Sequence, residues 1–249
     1  SIKGSIGYNG FENHSGGNAE NSSCNYTSIF NGTSSAAPSV AGVVALMLEA
    51  NPNLTWRDVK HIIATTADQV SPSRSYTLAS ITQYEWETNT AGYTFHNHFG
   101  FGKIDGAEAV TTAASYTANS RGTFKTTGYK SSGTINLGVS QTNTTSTIAV
   151  TKPSSSNDFV EYVRVSIQFS HSIPKSIGLR LLSPGGTIVN IMQPMTNVGT
   201  NPSSTLFDIG VSALYGEVVQ GNWTLAANDY INDGTDGTLV LWGIEVYGN

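Results

Sequence analysis

The segment of the chain whose residue types most clearly suggest chemistry is FNGTSSAAPSVAGVVALML, residues 30–48. Two adjacent serines, Ser34 and Ser35, follow a glycine and a threonine and precede a run of small and apolar residues. A serine at the N-terminus of a helix has its hydroxyl where free N–H groups and the helix dipole favour developing negative charge. Small residues after it let a substrate backbone approach closely. The pattern therefore indicates either a nucleophile or the commoner alternative, a simple helix N-cap.

The elements that must position these serines are helical in the first half of the chain. The apolar residues of SSAAPSVAGVVALMLEA predict a buried helix. Thr55 and Asp58 form a capping-box pattern at the start of a second helix, NPNLTWRDVKHIIATTAD. A loop of about thirty residues follows. After it, Asp105 is the expected N-cap of a third helix.

The pattern changes to short strands from about residue 118 onward. YVRVSIQF alternates apolar and polar side chains, and IGLRLLSPGGTIVNIM predicts two strands around a turn at 183–186. GNWTLAAND and GTLVLWGIEVYG predict two more strands. Short strands separated by turns, without helices, indicate an antiparallel sandwich. The stretch rich in Thr, Ser and Gly at 112–135 is the candidate linker between the halves.

Composition and charge exclude several functional classes. Charged residues form 12% of the chain, about half the usual share, and 26 glycines indicate a folded protein rich in loops. The net charge of −5, with no cluster of Lys and Arg, argues against nucleic-acid binding. The longest apolar run, Val40 to Leu48, is too short for a membrane span. Cys24, the single cysteine, cannot form an internal disulfide.

The motif around the serines resembles that of a known family. Gly32-Thr33-Ser34-Ser35-Ala36-Ala37-Pro38, followed by Ala41-Gly42, resembles the nucleophile motif G-T-S-x-A-x-P of subtilisin-like serine proteases. LEANPNLTWRDV and FGFGKID are closer to the kexin and furin branch, the proprotein convertases. VEYVRVSIQFSHSIPKSIGLRLLSPGGT and GNWTLAANDYINDGTDGTLVLWGIEVYG resemble the P domain that follows the catalytic domain in that branch.

The resemblance implies a fold class and a domain organisation. Residues 1–117 would be the C-terminal part of a subtilisin-like α/β catalytic domain, whose sheet is parallel. Residues 118–249 would be the P domain, an all-β sandwich of jelly-roll type. Because central strands of the catalytic sheet would be absent from such a portion, we expect the apolar helix at 40–48 to expose apolar surface and the second half to be the more stable part.

The resemblance also implies an activity and its residues. The protein would be a serine endopeptidase that hydrolyses peptide bonds through an acyl-enzyme on Ser34. The backbone N–H of Ser34 would help to form the oxyanion hole, with Thr33 beside it, and Ser35 would be structural. The chain order in subtilisins is Asp, His, Ser, yet the 33 residues before Ser34 contain no Asp and only one histidine, His14, which lacks the H-G-T neighbourhood. We therefore expect the triad His and Asp and the oxyanion Asn on an upstream segment, and no activity from these 249 residues alone.

Cofactors, partners and location follow from the same resemblance. Ca²⁺ is expected in the full-length protein, but its ligands cannot be assigned here, and no metal ligand is predicted among these residues. NDYINDGTDG departs from the EF-hand template and is better interpreted as a hairpin loop, and His96 and His98 as part of a packed loop. The expected partners are protein or peptide substrates and a propeptide or chaperone, with no nucleic acid and no membrane span. We expect a secreted or extracellular monomer, with a periplasmic or cell-surface location as alternatives.

Two other interpretations remain open from the sequence. The sandwich could be a carbohydrate- or protein-binding or adhesion module, which would require exposed rings at Trp223, Trp242 and Tyr247. Their positions in alternating strands favour core packing instead. The chain could also come from an inactive protease homologue with a structural role.

Overall fold

The computed structural model describes residues 32–78, 80–138, 143–152, 159–198, 206–230 and 237–249. The described part of the first half contains three α-helices: α1, Thr33–Ala50; α2, Trp56–Thr66; and α3, Gly106–Ser115. The predicted caps are confirmed. The Thr55 hydroxyl accepts from the Asp58 N–H, and the Asp58 carboxylate accepts from the Thr55 N–H in return. Asp105 accepts from the N–H of Glu108 at 2.9 Å.

The segment between α2 and α3 was predicted as one loop, and this prediction is wrong in part. It contains four short strands: β1, Tyr76–Leu78; β2, Ile81–Tyr84; β3, Glu87–Thr88; and β4, Thr94–Phe95. They form two antiparallel pairs, β1 with β2 and β3 with β4. Strands of two to four residues are too short to show an alternating pattern, which is why the sequence did not reveal them.

Contacts between aromatic rings hold this segment together. The His96 ring is fully buried and stacks on Phe99, with ring centres 4.6 Å apart, and the tilted Trp86 ring lies 5.3 Å from it. The His98 ring lies edge-on to Tyr84 at 4.2 Å. The interpretation of the two histidines as parts of a packed loop agrees with this arrangement.

The second half is an antiparallel β-sandwich, as predicted. Its strands are β5, Lys125–Thr126; β6, Lys130–Ser131; β7, Ile135–Gly138; β8, Asn143–Val150; β9, Val160–Ser170; β10, Ile177–Leu182; β11, Ile188–Met192; β12, Phe207–Val211; β13, Gly221–Asp229; and β14, Gly237–Gly248. One sheet has the order β11-β10-β13-β8. The other has the order β12-β9-β14-β5, with β6 and β7 also paired to β14. Since β5 and β6 pair with β14, the second part of the candidate linker at 112–135 belongs to the sandwich.

The sandwich core lies between the two sheets. The apolar face of β9 is fully buried, from Val163 to Phe169, as its alternation predicts. Trp223 and Trp242 are also fully buried. Their ring N–H groups donate to the Val219 carbonyl and the Ser146 hydroxyl, both at 2.9 Å. These two rings are therefore core residues, and the binding-module interpretation loses two of the three exposed rings it required. The third, Tyr247, is half-buried and stacks on Phe124, with ring centres 6.0 Å apart.

A smaller core joins the three helices. Its buried residues are Met47, Leu54, Ile62, Ala109 and Ala113. Apart from Met47, the residues of α1 are exposed or half-buried, and Leu46 is 53% exposed. The prediction of a buried helix is thus wrong for this chain, whereas the expected exposure of apolar surface is confirmed. No strand within the described ranges covers α1.

One helix among the described residues, α1, meets the length and composition of a membrane span. Core helices of water-soluble proteins meet the same criterion.

Candidate active site and domain junction

Ser34 lies in the first turn of α1 and is exposed to solvent. Gly32, the residue before the helix, is the N-cap and has a φ of 85°, a left-handed backbone conformation that favours glycine. The N–H groups of Ser35 and Ala36 both donate to the Gly32 carbonyl, at 3.0 and 3.2 Å. The N–H groups of Thr33 and Ser34 come earlier in the helix and have no helical acceptor. The turn therefore presents an accessible hydroxyl beside two N–H groups that are not used by hydrogen bonds of the helix.

The far end of α1 fixes the helix in place. The side-chain amide of Asn51 donates to the carbonyls of Ala113 and Tyr116 at the end of α3, both at 3.0 Å. Gly106 at the start of α3 lies against Val43, and an added Cβ would come within 3.3 Å of that side chain. The C-terminal half of α1 is thus anchored, while the turn with Ser34 projects from the described part of the fold.

A general base for Ser34 does not appear among the described residues. Each described histidine is engaged elsewhere: His61 with Arg121 and Tyr215, His96 with Arg74, His98 with Tyr84, and His171 with Asp229. His14 and Cys24 lie outside the described residues. The structure therefore places Thr33, Ser34 and Ser35 together and brings no described histidine to them.

His171 directly follows β9 and is buried. It is 8% exposed, and its Nε2 lies 3.2 Å from Asp229 Oδ2. The Ser176 hydroxyl lies 3.4 Å from Nδ1, which also accepts from the Ile173 N–H at 3.0 Å, so the two ring nitrogens are used in the reverse of the Ser-His-Asp triad. Because Ser176 is fully buried, no substrate reaches its hydroxyl, and the cluster is structural.

A calcium site does not fit the described residues. No group of three or more His, Cys, Asp or Glu side chains within the described ranges is arranged to hold a metal ion. Residues 231–236 of the acidic stretch NDYINDGTDG lie outside the described residues. The interpretation of this stretch as a hairpin loop is wrong, because the flanking strands β13 and β14 belong to different sheets and do not pair. The expected Ca²⁺ is therefore not assigned to any residue of this structure.

The junction between the helical half and the sandwich is built around Glu161 of β9, which is 2% exposed. Its carboxylate accepts from Arg57 of α2 through Nε at 3.0 Å and Nη2 at 2.5 Å, and from Arg121 Nε at 3.4 Å. Its backbone carbonyl accepts from Lys60 Nζ at 2.7 Å. The hydrogen bond to Glu161 has the largest effect on the pKa of Arg57 and raises it. Burial lowers the pKa of Lys60. Glu161 thus binds three cations from outside the sandwich strands, Arg57 and Arg121 through its carboxylate and Lys60 through its backbone carbonyl.

His61, also on α2, occupies the same junction. Its Nδ1 lies 2.8 Å from Arg121 Nη1 and 3.2 Å from the Tyr215 hydroxyl. A guanidinium only donates hydrogen bonds, so Nδ1 is an unprotonated acceptor. Burial, and next the charge of Arg121, lower the pKa of His61 to about 4. Burial raises the pKa of Tyr215 far above its ordinary value.

A second contact joins the β3–β4 hairpin to the sandwich. Asn89 donates to the carbonyls of Ala213 and Tyr215, both at 2.9 Å. The carboxylate of Glu217, 2% exposed, accepts from the Thr90 N–H at 3.1 Å and from the hydroxyls of Ser183 and Thr187. The two contacts together hold the halves side by side.

Sequence reasoning missed the junction residues. The one available signal was Glu161. It places a carboxylate beside the buried Val160, at the start of a strand whose later residues alternate between apolar and polar. Its cationic partners are far away along the chain and follow no local pattern.

Family models match both halves of the chain. Residues 2–102 match the model described as Subtilase family, and residues 160–246 match the Proprotein convertase P-domain. Residues 2–102 are therefore a segment of subtilase type, and residues 160–246 are a P-domain of the proprotein convertase type. Between these ranges lies the predicted boundary of this chain at residue 117, which stays a prediction.

The relatives similar to this chain are proprotein convertases and a bacterial serine protease. Proprotein convertase subtilisin/kexin type 6 of Rattus norvegicus is 31% identical over 223 residues, which cover 87% of this chain and 23% of the relative. An extracellular serine protease of Aeromonas sobria is 28% identical over 243 residues, covering 87% of this chain and 38% of the relative. The chain therefore spans well under two thirds of the length of these relatives.

The fold agrees with a solved relative. The crystal structure of the Aeromonas sobria serine protease in complex with a chaperone superposes on this chain with a TM-score of 0.76 at 26% identity. The superposition covers 92% of this chain and 46% of the other. The fold class, part of a subtilisin-like domain followed by a β-sandwich, is thus confirmed.

Proposed function

We propose that the protein containing this chain is a serine endopeptidase of the kexin type. The observation that carries the proposal is the exposed Ser34 at the N-terminus of α1, beside N–H groups that have no helical acceptor, within the range that matches the subtilase model. Ser34 Oγ attacks the carbonyl carbon of the peptide bond and gives its proton to a histidine. The tetrahedral intermediate expels the amine, which takes that proton, and leaves an acyl-enzyme that water hydrolyses.

Each residue of the turn has its own role in this proposal. The N–H of Ser34 donates to the oxyanion, where a single donor contributes about 10²- to 10³-fold to the rate. Thr33 precedes it and lies beside the same oxygen. Ser35 is structural, since its N–H already donates to the Gly32 carbonyl. The histidine, the aspartate that orients it and an oxyanion asparagine come from chain outside the described residues.

The sandwich has a supporting role. Its contacts through Glu161 and Glu217 support the proposal that it stabilises the catalytic part. The substrates are proteins or peptides. A propeptide or chaperone partner is supported by the Aeromonas sobria protease, which crystallised with a chaperone. The extracellular Aeromonas relative supports secretion, and we propose a monomer that binds Ca²⁺ through residues outside those described.

Substitution of the two serines in the full-length protein tests this function. Ser34→Ala should lower turnover of a peptide substrate by about 10⁴- to 10⁶-fold, because the nucleophile is lost. Ser35→Ala is the matched control and should retain most of the activity. An active Ser34→Ala variant would exclude the proposed mechanism, and an inactive wild type would identify the protein as an inactive homologue.

The 249-residue polypeptide gives a second test. Without a histidine to accept its proton, Ser34 is a weak nucleophile. We expect no labelling of this polypeptide by a fluorophosphonate probe under conditions that label the full-length enzyme. Labelling that disappears in Ser34→Ala would show that His14 or another residue of this chain serves as the base.

A further inference from the structure

We propose that His61 makes the junction between the helical half and the sandwich acid-sensitive, since protonation of its Nδ1 removes the hydrogen bond from Arg121 and loosens the contact. The relevant geometry is the 2.8 Å separation between His61 Nδ1 and Arg121 Nη1. Both atoms carry a hydrogen once His61 is protonated, and two donors repel at this distance. The Tyr215 hydroxyl can accept from the protonated ring, but Arg121 cannot.

The surroundings of His61 already contain an excess of positive charge. The groups that face it from each packed element are Arg121 of the 116–124 segment, Glu161 of β9, Tyr215 of the loop after β12, Tyr116 at the end of α3, and Asp58 and Lys60 of its own helix. Arg57, Lys60 and Arg121 together contribute three cations, opposed by two carboxylates. A protonated His61 adds a fourth cation with no new anion.

The cations of the junction also use the aromatic rings there. Arg121 lies over the Tyr215 ring at 5.2 Å and Lys60 lies over it at 5.5 Å. The same ring lies 6.0 Å from that of His61. A displacement of Arg121 by a charged His61 therefore disturbs both the Glu161 ion pair and the packing of Tyr215 between the two halves.

The direction of the pH effect follows from the lowered pKa of His61. In the separated or unfolded chain the imidazole titrates near 6.5, and in the docked state near 4. The contribution to docking is complete above pH 6.5 and is lost as the pH falls from there towards 4. At pH 4.5 the ratio of docked to undocked molecules should fall by up to about 100-fold relative to pH 7.5.

Hydrogen exchange of the 249-residue chain tests this proposal. Amides at 118–124 and 212–217 are measured at pH 7.5 and 4.5, with correction for intrinsic exchange rates. The wild type should lose at least about 10-fold protection at pH 4.5. His61→Gln, whose amide oxygen still accepts from Arg121 but does not titrate, should lose little. His98→Gln, a matched control at an exposed histidine, should behave as the wild type.

Two results would overturn the proposal. One is an equal loss of protection in the wild type and in His61→Gln, which would identify a carboxylate such as Glu161 as the sensitive group. The other is a wild type that keeps its protection at pH 4.5. If His61→Gln does not fold, ¹⁵N spectra of the wild-type imidazole decide instead: His61 must stay neutral below pH 5.5, and titration near 6.5 contradicts the proposal.

Discussion

The carboxylate of Glu161 accepts two hydrogen bonds from the guanidinium of Arg57 across 104 residues of chain. Both side chains are almost completely buried, at 2% and 8% exposure. Arg57 also donates to the carbonyls of Gly122 and Arg121, at 2.6 and 3.0 Å. A bidentate pair of this kind fixes orientation as well as distance. It therefore fixes α2, and the helices packed on it, against β9 of the sandwich.

Removal of one member of this pair should destabilise the chain strongly. Glu161→Gln leaves the Arg57 guanidinium buried without its counter-charge, and we expect a loss of about 3–5 kcal/mol in the free energy of unfolding. Urea unfolding followed by circular dichroism measures it. The exposed pair of Lys103 and Asp68, at 3.1 Å, is the control. Asp68→Asn should cost under about 1 kcal/mol, and similar losses in both variants would contradict the importance of burial.

The capping carboxylate of Asp58 should contribute stability that depends on pH. Burial alone would raise its pKa, but hydrogen bonds from the Asn119 N–H and from Thr55 outweigh this effect and hold the pKa below the ordinary 3.8. Its contribution is complete above that value and is lost as the pH falls through the lowered pKa. Asp58→Asn should cost about 1–2 kcal/mol at pH 7 and progressively less below pH 4. Urea unfolding of both proteins at pH 7, 5 and 3 measures the difference, and a cost independent of pH would contradict the ionic role.

Two glycines with the same backbone conformation should respond differently to substitution. Gly92 and Gly216 have φ values of 87° and 83°. A Cβ at Gly92 would meet open space, whereas one at Gly216 would lie 2.5 Å from the Tyr93 ring. Gly92→Ala should cost about 1–2 kcal/mol from backbone strain alone.

Gly216→Ala should cost about 1–3 kcal/mol more, because the added methyl displaces Tyr93 at the contact with the sandwich. Thermal unfolding of the two variants side by side measures the difference. Equal shifts would mean that the ring of Tyr93 moves freely and that the contact is looser than the structure indicates.

Local stability should increase from α1 to the sandwich. Met47 is the only buried residue of α1, while β9, β13 and β14 are buried along most of their length. Native-state hydrogen exchange should show α1 amides that open locally at low free energy and amides of these strands that exchange only on global unfolding. Equal protection of α1 and β14 would contradict the view that the sandwich is the stable part.

Several features follow from short stretches of the sequence. The Thr55–Asp58 cap, the Asp105 cap and the alternation of β9 are local patterns, and the structure contains all three. The motif around Ser34 likewise depends on neighbouring residues, because a Gly with left-handed φ and a helix start are properties of consecutive positions. Such patterns are readable because the relevant interactions join residues up to four positions apart.

Only the tertiary structure decided which of these elements contact each other. It placed Glu161 against Arg57 and Arg121, put His61 between Arg121 and Tyr215, and left most of α1 exposed although its composition is that of a core helix. The strands at 125–131 are too short to be recognised until β14 pairs with them. The physical reason is that burial and ion pairing depend on the partner surface, and a partner a hundred residues away leaves no periodic trace in the local sequence.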